Sequence, residues 1–320
     1  MKTLTIRALL LGMALAVAAA LVPTTALAAS PNLFATVAAN GTLVNGNGVS
    51  SVTHLGGGRY EVTFNSDVTG CAYVSTTQNA FSQAIQSYTA SGHINGNGVY
   101  VEVKNQGGGL NDGPFDLAVA CNIKGWDYAV VGYAADLVRS TPGATLSHLG
   151  PGRYDVNFTA SVGACAYLAT VGDPANALVF NPSGVYTGSG PNAHSVYIET
   201  KNPGGGLADG IPFHLAVVCP PAASAKALVV RDTGVPKRGS TVTSAFNSST
   251  GNYVFATGLN LGTCTMIATR GTIDKAVPFN PATVEITPGP ASNTSGIQVR
   301  ELLFFGGNLS NQAFHAAGIC

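Results

Sequence analysis

Along most of the chain polar and apolar residues alternate one for one. Tyr60, Val62 and Phe64 interleave with Arg59, Glu61 and Thr63, and Val99, Val101 and Val103 with Tyr100, Glu102 and Lys104. The pattern returns as Val196 and Ile198 against Tyr197, Glu199 and Lys201. Successive side chains of a strand point to opposite faces, so each segment predicts a strand with one apolar and one wet side. The spacing of three and four that marks a helix is missing. Strands are expected at residues 33–37, 49–55, 59–64, 71–76, 85–89, 98–104 and 115–121. Gly56-Gly57-Gly58 turns a hairpin, and Asn45-Gly46-Asn47-Gly48 and Asn95-Gly96-Asn97-Gly98 read as turn formers. The expectation is an all-β chain of antiparallel, jelly-roll-like sandwiches.

That pattern occurs three times. Gly58-Arg59-Tyr60 leads to Cys71-Ala72-Tyr73, Gly152-Arg153-Tyr154 to Cys165-Ala166-Tyr167, and Gly251-Asn252-Tyr253 to Cys264-Thr265-Met266. In each case the tyrosine precedes the cysteine by 11 positions. Three tandem modules of six to eight strands are therefore expected at 31–122, 125–220 and 225–320, with short joints between them. The prolines Pro220-Pro221 should make the second joint the stiffer one. Residues 1–28 read as a secretory signal peptide, with Lys2 and Arg7, an apolar run over 8–22, and Ala26-Leu27-Ala28 at the cleavage site. The expected localisation is secreted and extracellular, by bacterial export. No later apolar run is long enough to predict a membrane span after cleavage.

Charge adds an exclusion. Without Lys2 and Arg7 the chain holds 13 basic and 15 acidic residues, and only 9% of all residues are charged. A basic footprint for nucleic acid is absent. Forty glycines and 17 prolines suit short strands with tight turns.

The six cysteines follow the repeat, two per module. Pairing within each module gives Cys71–Cys121, Cys165–Cys219 and Cys264–Cys320, which an exported setting permits. Closing such a loop stabilises a module by about 4 kcal/mol in the chain-entropy model. Metal ligation is disfavoured, because no CxxC pair or Cys/His cluster is present.

Candidate chemistry is thin. His54 and His148 precede equivalent hairpins and read as turn residues. Asp116, His214 and His315 share a place on the closing strand, and the exchange between residue types suggests a solvated face. Gly107-Gly108-Gly109-Leu110-Asn111-Asp112 and Gly204-Gly205-Gly206-Leu207-Ala208-Asp209 resemble calcium turns, yet one carboxylate each is too few for that ion. A hairpin connection is the expected role. Tyr100 and Tyr197, outward on matching strands, form a candidate ligand platform or cover a neighbouring module. Asn-x-Ser/Thr sites at Asn40, Asn157, Asn247, Asn293 and Asn308 matter only in a glycosylating host. No GxSxG, HExxH or Walker loop occurs, so no catalytic residue, metal or cofactor is expected.

The GRYxVxF…GCAYxAT motif, with the later Phe-His-Leu-Ala-Val strand at 213–217, resembles repeats of uncharacterised secreted β-rich proteins of bacteria, actinomycetes among them. The resemblance covers nearly all of the chain after residue 28 and is weakest in the third module, where Leu302-Leu303-Phe304-Phe305 replaces polar residues. It implies an exported protein and transfers no catalytic residue. The leading expectation is a non-catalytic extracellular structural or interaction protein. The alternatives are a glycan- or cell-wall-binding protein and, behind it, an extracellular hydrolase. Partners are expected among glycans or other extracellular proteins, with homo-oligomerisation an open alternative.

Overall fold

The computed structural model describes residues 32–78, 85–177, 182–219, 225–230, 235–238, 244–256, 261–273, 282–288, 296–303 and 309–320. The signal-peptide segment, the joint at 220–224, Phe304, Phe305 and the sites at Asn293 and Asn308 lie outside them. Among the described residues the chain is all-β, without helix.

The first unit holds β1 (Leu33–Val37), β2 (Leu43–Asn47), β3 (Val49–Gly56), β4 (Arg59–Phe64), β5 (Ala72–Thr77), β6 (Ile85–Ser91), β7 (Gly98–Asn105) and β8 (Phe115–Ala120). The second holds β9 (Trp126–Val131), β10 (Leu137–Ser140), β11 (Thr145–Gly150), β12 (Arg153–Asn157), β13 (Ala166–Val171), β14 (Gly184–Ser189), β15 (Ser195–Lys201) and β16 (Phe213–Val218). The third holds β17 (Ala225–Val230), β18 (Pro236–Arg238), β19 (Ser244–Ser249), β20 (Asn252–Ala256), β21 (Thr265–Arg270), β22 (Ala282–Pro288), β23 (Gly296–Leu303) and β24 (Phe314–Ile319).

Each unit is two four-stranded antiparallel layers. An outer sheet runs β3-β4-β7-β6 and an inner one β2-β1-β8-β5, and the same order returns in the other two units. Between the layers of the first unit lie Leu33, Ala35, Tyr60, Val62, Phe64, Val101, Leu117 and Val119, the apolar sides of their strands. Cys71–Cys121, Cys165–Cys219 and Cys264–Cys320 are bonded. Each bond ties the entry to the axial strand β5, β13 or β21 to the exit from its antiparallel neighbour.

The predicted hairpin forms, with Gly56, Gly57 and Gly58 all at positive φ. At Gly58 a Cβ would press on the Val103 carbonyl and the Asn111 backbone, so no other residue fits that turn. One expected turn is a strand instead. Asn45, Gly46 and Asn47 pair along β1 with Thr36, Ala35 and Phe34, and the chain turns at Gly48 (φ 73). Asparagine-glycine pairs signal turns by backbone preference, but here an edge pairing overrides it.

The units close into a ring through a core of their own. Phe34, Ala72, Val74, Ala118 and Ala120 of the first unit meet Trp126, Leu168, Ala216 and Val218 of the second, with Val229, Ile267, Ala317 and Ile319 of the third. These side chains come from the faces of the inner sheets turned away from each sandwich. The inner strands β5, β8, β13, β16, β21 and β24 are therefore buried on both faces along their whole length. The reading of Asp116, His214 and His315 as solvated is corrected here. The face they share carries Ala118 and Ala120, Ala216 and Val218, or Ala317 and Ile319, and it packs against a neighbouring unit. Asp116 is 1% exposed and both histidines 0%.

Candidate functional site

At the centre of the ring three threonines repeat one motif on β5, β13 and β21. The Thr76 hydroxyl donates to the Ala268 carbonyl (2.9 Å) and accepts from the Ala268 N–H (2.8 Å). Thr170 does the same with Ser75, at 3.1 and 2.8 Å. Thr269 does so with Ala169, at 3.0 and 2.7 Å. Each unit grips the one before it, and the first grips the last. A hydroxyl suits this place because it donates and accepts at once.

A second ring of contacts explains the aspartate–histidine exchange. The Tyr73 N–H donates to His214 Nδ1 (2.9 Å), and the Tyr167 N–H donates to His315 Nδ1 (3.0 Å). The corresponding Met266 N–H donates to the Asp116 carboxylate. The shared requirement is an acceptor facing the neighbouring unit. Both histidines also stack on the tyrosine that donates to them, with centroids 4.9 and 4.8 Å apart. At the Asp116 position Thr36 and Thr265 add hydroxyl donors, at 2.5 and 2.8 Å. Thr265 stands where the other units carry Ala72 and Ala166, so the third unit supplies a donor where its neighbour supplies a carboxylate. Burial nevertheless raises Asp116 to about 6, the donors pulling the other way. Burial, with the positive Arg139 nearby, lowers His214 to about 3.

Glycines complete the contact. Thr89 bridges Gly172 in parallel register, Thr187 bridges Gly271, and Glu285 of β22 bridges Thr77. A Cβ on Gly172 would run into the Thr89 backbone carbonyl at 2.6 Å and the His214 ring at 2.9 Å. Beyond the threonines a small axial cavity of about 50 Å³ is bordered by Thr77, Ser87, Tyr186 and Arg270 among others. That volume holds a water or two and no organic ligand.

The sequence-predicted positions fall elsewhere. Tyr100 is 3% exposed, covered by the His93 ring at 3.8 Å, and its hydroxyl donates to Glu102 (3.0 Å). Tyr197 is half-buried and donates to Glu199 (2.9 Å). The structure does not bring the two together in one platform. The wet face expected of β7 is also corrected. Lys104 lies buried with its ammonium 2.7 Å from Glu102 and over the Tyr88 ring, while Arg59 lies 3.6 Å from the same carboxylate. On the neighbouring strand Glu61 is buried under the 92–97 turn, where it accepts the His93 and Ile94 N–H groups.

His54 and His148 form matching turn locks. Each Nε2 lies 2.9 Å from a carboxylate oxygen, of Asp112 or Asp209, that also accepts the Gly58 or Gly152 N–H. The glycine-rich segments are hairpin connections, with Lys104 bridged to Leu110 and Lys201 to Leu207. Among the described residues no cluster of three His, Cys, Asp or Glu side chains has metal-site geometry. No protein-family model, curated protein or solved structure matches this chain.

The signal that sequence reading overlooked was present. Ala72-Tyr73-Val74, Ala166-Tyr167-Leu168 and Thr265-Met266-Ile267 are apolar on both faces, or nearly so, which marks a strand covered from both sides.

Proposed function

We propose that this chain is an exported, non-catalytic structural or interaction protein, in which three copies of one module form a closed scaffold. The observation that carries this reading is the cyclic threonine clasp, in which Thr76, Thr170 and Thr269 each join two units. The polar side chains at the heart of the molecule bind neighbouring units to each other, which is the work of a scaffold. Three disulfides favour an oxidising compartment over a reducing one. Nearly neutral charge and turn-locked outer loops suit a durable particle displaying three related outer surfaces.

Fractionation of the producing cells tests the proposal. The expected result is oxidised protein outside the cytoplasm, with a mature N-terminus close to residue 29. Light scattering of that protein should give the mass of a single chain. Reduced protein retained in the cytoplasm would overturn the extracellular reading, and turnover of a substrate by the purified chain would overturn the non-catalytic one.

A further inference from the structure

The second unit departs from the first at one outer corner, where a groove of about 540 Å³ lies. That size lies within the range of small-ligand pockets, roughly 300–1,000 Å³. Tyr133 stands on the turn between β9 and β10, 47% exposed, where the first unit has Ala39. Facing it are Pro182, Pro203, Ile211 and Pro212, with Asn202 and Asp209 as the polar members. Ile211 is itself an insertion. The first unit passes from Asp112 to Phe115 through Gly113-Pro114, the second from Asp209 to Phe213 through Gly210-Ile211-Pro212. Two independent changes, a new ring and a longer loop, therefore meet at one place.

We infer that this groove binds a neutral oligosaccharide, one pyranose lying on the Tyr133 ring. An aromatic ring exposed on one side offers an apolar face to the axial C–H bonds of a sugar, while flanking polar groups take its hydroxyls. The Tyr133 hydroxyl is held by Asp173, a buried carboxylate, so the ring's tip is anchored. Asp209 supplies the acceptor. Its Oδ1 is occupied by His148 Nε2 and the Gly152 N–H, leaving Oδ2 on a half-exposed carboxylate. The Gly152 hydrogen bond, first among its causes, lowers the Asp209 pKa, so the acceptor is ionised at neutral pH. Asn202 supplies the donor, since its Oδ1 accepts the Gly206 N–H and its amide group is left to give. An ionised carboxylate disfavours acidic sugars. A proline-rich peptide is the weaker occupant, because such peptides dock between several aromatic rings and, among the described residues, Tyr133 is the one aromatic lining this groove. The inference stands apart from the scaffold reading, which a binding result leaves unchanged.

The test is titration of the full mature chain with cellotriose and with chitotriose, read by the aromatic NMR signals of Tyr133 and by calorimetry. Saturable shifts at Tyr133 are expected for one of the two up to about 5 mM, the range of weak single-site affinities. Tyr133→Ala should weaken binding at least about tenfold, whereas Tyr133→Phe should retain it within about threefold. The exposed position makes misfolding of either variant a minor concern, and an unchanged melting curve establishes that control. Silence of Tyr133 with both sugars, equal affinity in Tyr133→Ala, or binding of a polyproline peptide in place of the sugars would each overturn the assignment.

Discussion

At the scale of single residues the ring is held by groups whose loss strands a buried partner. Thr76→Val keeps the shape of the side chain and leaves the Ala268 N–H and carbonyl without their partner across the interface. Such a loss costs about 1–3 kcal/mol, to be read as a lowered urea midpoint, with Thr170→Val behaving alike. Two of the buried ionisable acceptors, Asp116 and His214, have opposite pH signatures. Asp116 protonates at about 6 in the fold and near 3.8 unfolded, so its burial cost weighs on the fold above pH 6 and is relieved as pH falls. His214 stays neutral in the fold down to about 3 against 6.5 unfolded. The stability it lends is full above 6.5 and is lost as pH falls towards 3. Over the shared window the two offset. Asp116→Asn should uncover the histidine loss, about 2 kcal/mol between roughly pH 7 and pH 5, measured as urea midpoints across that range. A midpoint in the variant that ignores pH would contradict the burial argument.

At the scale of elements, the alternation in β4, β7 and their counterparts was enough to place strands and sandwich cores. Tyr60, Val62 and Phe64 lie inside, as their period of two requires. Alternation failed on the other face. Glu61, Glu102 and Lys104 are polar yet buried, because a turn or a partner charge covers each, and a charged letter carries no mark of its cover. Asp116, His214 and His315 misled for a related reason: polar residues were read as wet when a neighbouring unit was the solvent-excluding layer. Tyr133 passed unnoticed, since a lone aromatic in a turn is only informative beside the loop that the fold brings to it. Where strand ends meet across units, space is the constraint. Gly172→Ala should destabilise the protein by about 1–3 kcal/mol through overpacking against Thr89 and His214, and differential scanning calorimetry will register it as a lower melting temperature. A neutral outcome would mean the two units can slide apart.

At the scale of the molecule, the interface between the third and first units has no linker to hold it, yet it uses the same threonine grip as the other two. Residues at opposite ends of the described chain touch there, the Asn32 side-chain amide donating to the Cys320 carbonyl (3.1 Å). The joint at Lys124-Gly125 is exposed. A protease site placed there should be cleaved without releasing a piece, the fragments eluting together in native sizing and separating in denaturant. Release under native conditions would show that the linker, and not the shared core, keeps the ring closed.

The unlike partnership of Asp116 with Thr265 carries one more implication. Three identical subunits meeting on an axis must use the same handshake three times over. A single chain is free of that rule, and here one seam takes a carboxylate where the other two take imidazoles. The seams are thereby labelled: a first unit set against the second unit's β13 in place of β21 would find Ala166 where it needs the Thr265 hydroxyl. Seating order is thus written into the protein chemically as well as by the thread that joins its parts.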